Sequence, residues 1–181
     1  PSGWSSYNNL KNLPKYEDDN LMYDFHFYDP MIFTHQASSF ITPPTTSLRD
    51  VPFPYDAARM PQFPEDMKGT WFETAFKNYE AESSIARLRS LIDVAVAFRN
   101  ERNVPIFCGE LGVHIQGAPP ADRIRWYNEI CSYLKTKDIP YILWDYKDVF
   151  GIFNTDVPGR RWFPDDLNID LLEAIDFKDP R

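Results

Sequence analysis

The stretch PIFCGELG, residues 105–112, decides the fold. It reads as a short buried strand that enters on Pro105 and ends on a polar residue, Glu110, with Gly109 just before it. On its amino-terminal side, Ile85, Leu88, Leu91, Ile92, Ala95 and Phe98 recur at steps of three and four. That spacing predicts a helix over about 83–103, with Ser83 or Ser84 as its cap. On the other side, after a loop holding Gly117, Pro119 and Pro120, the stripe Ile124, Tyr127, Ile130, Cys131 and Leu134 predicts a helix over about 121–137. Two further apolar runs flank these helices. LMYDFHFY, residues 21–28, stops at Asp29-Pro30, and PYILWD, residues 140–145, leads into an aromatic loop and a short helix near 167–175. A short helical turn is expected around 7–13, ending before Pro14.

Strands alternating with helices imply a parallel sheet with helical crossovers. The strands are nearly continuous apolar runs, as strands covered on both faces require. Their carboxyl ends carry the polar and aromatic residues His26, Tyr28, Glu110, Trp144 and Asp145. Ligands of parallel α/β folds bind at that end. Residues from about 38 to 69 break the pattern. Prolines at 43, 44, 52, 54, 61 and 64 exclude a long helix and predict a long excursion.

At 181 residues the chain fits one domain, and at 43% hydrophobic it can bury a substantial core. A net charge of −8 argues against general nucleic-acid binding and against adhesion to anionic membranes. No apolar run reaches membrane-spanning length, and no glycine-rich phosphate loop follows a strand. Cys108 and Cys131 do not make a disulfide framework and read as buried thiols. His35 and His114 have no ligand spacing with the cysteines or His26, so neither a metal nor another cofactor is expected.

Four ordered motifs carry a resemblance to glycoside hydrolase family 5 cellulases. LMYDFHFYDPMIFTHQ, residues 21–36, is similar to the family's sixth-strand segment, whose His-x-Tyr is matched by His26 and Tyr28. PIFCGELG resembles the seventh strand, and Glu110 fills the position of the nucleophile. Residues 125–127, Arg-Trp-Tyr, resemble the following helix. YILWDY, residues 141–146, resembles the eighth strand, with Trp144 as the sugar-stacking platform. Gly3-Trp4-Ser5 resembles the loop past the fifth strand, which offers Trp4 to a neighbouring sugar subsite.

The resemblance implies the carboxy-terminal half of a TIM (β/α)8 barrel, one half-barrel domain over 1–181. It also implies retaining hydrolysis of a β-1,4-glucan and a secreted or periplasmic protein. A retaining glycosidase sets a nucleophilic carboxylate opposite a carboxylic acid about 5–5.5 Å away. The family's acid follows Asn at the end of the fourth strand, a position expected ahead of residue 1. Asn100-Glu101 and Asn128-Glu129 fall inside expected helices and do not take that role. Three or four parallel strands cannot close a barrel of eight. A homo-oligomer, a complementary amino-terminal half or cover by the Pro-rich excursion is therefore expected. The alternative reading is a non-catalytic carbohydrate-binding or assembly module that keeps the aromatic platform.

Overall fold

The computed structural model describes residues 3–18, 20–154 and 161–179. Among these residues three parallel strands lie side by side in sequence order: β1 (Tyr23–Phe27), β2 (Ile106–Leu111) and β3 (Tyr141–Leu143). Between them run α1 (Met31–Thr34), α2 (Trp71–Lys77), α3 (Tyr79–Glu82), α4 (Ile85–Arg102) and α5 (Pro120–Thr136). α6 (Ile169–Ala174) closes the order. Strands joined only through helices match the parallel α/β reading of the sequence.

The long helices begin and end where local chemistry dictates. Ser84 caps α4, its hydroxyl accepting the Arg87 amide, and Asn103 ends it in the left-handed region at φ 52°. Its buried face is Leu88, Leu91, Ile92, Ala95 and Phe98, with Ile85 only half-buried. Pro120 opens α5, where a missing amide hydrogen costs nothing. Its expected stripe is buried apart from half-buried Ile124, and Trp126, Asp122 and Arg123 join it. Both helices cover the same face of the sheet. Phe25, Phe27, Ile106, Cys108 and Leu111 point into this core, and Tyr141 and Leu143 pack against it. Cys108 and Cys131 are free and buried there.

The opposite face carries Asp24, His26, Phe107 and Glu110, and Ile142 is exposed on it. Glu110 reaches this face through an irregularity in β2. Phe25 pairs with Cys108 and His26 with Glu110, so Gly109 is an extra residue with no partner on β1. Strict alternation from Ile106 and Cys108 would turn Glu110 toward the helices. The bulge at Gly109 turns it outward and returns Leu111 to the core. The β2–β3 register slips over the same residues.

The excursion over 38–69 is packed down. Leu48, Val51, Phe53 and Met67 are buried. Gln36 is fully buried and holds Val51 at both ends, donating to its carbonyl at 3.1 Å and accepting its amide at 2.7 Å. Asp122 accepts the Phe53 amide and pairs with Arg59, while Arg125 donates to the Phe53 carbonyl. These anchors hold the excursion against α5. Among the described residues no helix is long and apolar enough to cross a membrane.

Candidate active site

Glu110 ends the polar side of β2 with one neighbour from β1, His26, and one from just past its end, Tyr28. The Tyr28 hydroxyl donates to Glu110 Oε2 at 3.0 Å. His26 Nδ1 lies 3.2 Å from the same oxygen. The other ring nitrogen, Nε2, lies 3.1 Å from Asp24 Oδ2, and Asp24 Oδ1 accepts the Gly109 amide at 2.9 Å. The ring and both carboxylates are partly open to solvent, at 19% for His26 and 27% for Glu110. A carboxylate held by two side-chain neighbours at a strand end is fixed in direction yet reachable, the two properties a nucleophile or a ligand-binding anion needs. Three residues singled out in the sequence, His26, Tyr28 and Glu110, therefore meet at one oxygen.

Burial pushes the Tyr28 phenol well above its ordinary range, and the Glu110 charge adds to that push. The hydroxyl thus remains a donor at any physiological pH. Its ring is walled by His35 and Phe150, at centroid distances of 5.1 and 5.8 Å. Phe150 also meets His114 at 5.6 Å and the exposed Phe40 at 5.9 Å. Burial, with His114 beside it, lowers the His35 pKa to about 4, so this histidine is a neutral part of the wall. Thr34 braces the turn by donating to the Tyr28 carbonyl at 2.6 Å.

Trp144 follows β3 and is 48% exposed. Its amide donates to the Leu111 carbonyl at 2.8 Å, which sets it one strand over from Glu110. Gly112 passes so close that a Cβ there would stand 2.1 Å from the Trp144 carbonyl. The Trp144–Asp145 peptide is cis. Asp145 accepts the amides of Asp148 and Phe150 and so shapes the loop beyond β3, as a turn-setting aspartate does. Arg123 ties that loop to the end of β2, donating to the carbonyls of Val113, Phe150 and Gly151. Trp4 is 93% exposed. Its neighbour Ser5 accepts the His26 amide at 2.8 Å. Of the closing aromatic loop, residues 155–160 lie outside the described residues.

Sequence reasoning passed over Asp24 and the bulge. The signals were present as an acid two residues before a histidine and a glycine directly before the acid. Their partnership depends on a register between strands far apart in sequence. Glu101 and Glu129 lie in α4 and α5 as expected, and Glu129 pairs with Arg89. Among the described residues no group of three or more His, Cys, Asp or Glu side chains is disposed to hold a metal ion.

Comparison with known proteins gives this geometry a context. The sequence matches the family model "Cellulase (glycosyl hydrolase family 5)" over residues 1–149. Endoglucanase C of Acetivibrio thermocellus is 32% identical over 158 residues, covering 85% of this chain and 45% of that protein. Endoglucanase 3 of Fibrobacter succinogenes is 29% identical over 154 residues, covering 82% of this chain and 23% of that protein. The chain thus spans less than half the length of these relatives. The structure of Thermotoga maritima Cel5A in complex with cellobiose superposes with a TM-score of 0.69 at 18% identity, covering 96% of this chain and 45% of that one. The fold is therefore part of an α/β barrel of the endoglucanase type.

Proposed function

This chain belongs to glycosyl hydrolase family 5, the cellulases, and on that premise we propose that it supplies the nucleophile side of a retaining β-1,4-glucanase site. Glu110 attacks the anomeric carbon. Tyr28 and His26 orient it, and Trp144 and Trp4 take the faces of sugar rings. The observation that carries this reading is the convergence of the Tyr28 hydroxyl and the His26 ring on Glu110 Oε2, at 3.0 and 3.2 Å. Donors to one carboxylate oxygen fix the group for in-line attack through the other. The half-exposed indole at the end of the neighbouring strand supports a sugar platform beside it.

The reaction also needs a carboxylic acid facing Glu110 across the scissile bond. Residues 1–181 make one half-barrel domain in this reading, and the acid comes from strands that complete the barrel. The exposed Met22 and Ile142 and the sheet face they flank support a surface built to meet such strands. These strands are the complementary amino-terminal half of the barrel, which carries the family's acid. Secretion, which the family resemblance implies, belongs to the same proposal.

Release of dinitrophenolate from dinitrophenyl β-cellobioside tests the assignment without requiring the acid, because that leaving group departs unprotonated. A burst of release of about one equivalent per folded chain, absent in Glu110→Gln, is the expected result, because hydrolysis of the glycosyl-enzyme needs the same missing residue as a base. Cello-oligosaccharide binding that is indifferent to Glu110→Gln, with no release, would overturn it in favour of a carbohydrate-binding module.

A further inference from the structure

The geometry points to Asp24 as the positioning residue of this site, holding the His26 ring so that its Nδ1 faces Glu110. Nε2 faces Asp24 Oδ2 at 3.1 Å and Nδ1 faces Glu110 Oε2 at 3.2 Å. The two carboxylates grip the ring from opposite sides, so it cannot turn without losing a partner. The Tyr28 hydroxyl meets the same Glu110 oxygen. The segment before β1 presents backbone to this residue, the Ser5 carbonyl accepting the His26 amide.

Asp24 is itself fixed, which lets it position something else. Its Oδ1 accepts the Gly109 amide, and a Cβ at Gly109 would stand 2.2 Å from that oxygen. The bulge that turns Glu110 outward thus also seats the carboxylate that orients its histidine. One residue couples the backbone irregularity to the side-chain chain Asp24–His26–Glu110. The positioning stands apart from the reading of Glu110 as nucleophile, and only its catalytic consequence rests on that reading.

Nitrogen-15 NMR of the imidazoles and dinitrophenolate release test it together. The sequence has three histidines, and His26→Gln identifies the resonance. Asp24→Asn keeps the shape of the side chain and replaces the carboxylate that grips Nε2. The His26 ring resonances are expected to move, and dinitrophenolate release is expected to slow in kcat with KM nearly unchanged. A merely structural contact would leave both as they are. An Asp24→Asn ring indistinguishable from wild type overturns the inference. If the ring resonances move while wild-type protein releases no dinitrophenolate, the positioning stands and the nucleophile assignment falls.

Discussion

Tyr28 and Glu110 stand 82 positions apart in sequence, and the hydroxyl of one donates to Oε2 of the other at 3.0 Å. The contact exists because β1 and β2 pair in parallel and because the bulge at Gly109 sets Glu110 opposite His26 rather than turning it into the core. Tyr28→Phe removes this donor and leaves the ring packed against His35 and Phe150. A hydrogen bond to a charged group contributes about 1.5–3 kcal/mol. Dinitrophenolate release is therefore expected to slow at least about 10-fold.

Gly109→Ala strikes the bulge itself. The added Cβ would stand 2.2 Å from Asp24 Oδ1 and 2.9 Å from its Cγ. Forced overpacking of this kind costs about 1–3 kcal/mol. Urea denaturation is expected to show that loss. The His26 resonances are expected to move as well, because Asp24 must leave the ring.

Much of this fold is legible in the sequence, and what is not has a physical reason. Strand positions follow from the apolar runs 21–28, 105–110 and 140–145, although β1 and β3 stop at Phe27 and Leu143, and α4 and α5 follow from three-and-four spacing. Helices α2 and α3 carry only two buried residues, Phe72 and Tyr79, too sparse to print a period. The excursion over 38–69 is marked by its prolines, but its anchoring depends on Gln36 and Asp122, polar residues whose burial no hydrophobic pattern signals. In the site, Glu110, His26 and Tyr28 are named by motif. Asp24 escapes notice because its role arises only once a one-residue register shift brings the Gly109 amide to it.

Asp122 offers a test of the anchored excursion. It is almost fully buried, accepts the Phe53 amide at 3.2 Å, and pairs with Arg59 and Arg125. Asp122→Ala leaves that amide without its acceptor and two guanidinium groups without their carboxylate. A loss of about 2–3 kcal/mol is expected. Limited proteolysis is expected to find new cleavage between residues 54 and 64.

His35 makes stability depend on pH in a defined direction. Its folded pKa, about 4, lies below the ordinary value of 6.5. The unfolded chain therefore binds the extra proton between those values, and folding stability falls as pH drops from 6.5 toward 4. At about 1.4 kcal/mol per pH unit, the loss reaches about 3 kcal/mol across the window. His35→Gln is expected to flatten that part of a urea-midpoint profile, whatever its effect at pH 7.

The central claim is that Glu110 is a poised nucleophile, and covalent trapping tests it most directly. The protein is incubated with a dinitrophenyl 2-fluoro-β-cellobioside, then weighed intact and mapped by peptide mass spectrometry. A single glycosyl adduct on the peptide containing Glu110, absent in Glu110→Gln, is the result this account predicts. Folded protein that gains no adduct, or gains one on a different carboxylate, would contradict it.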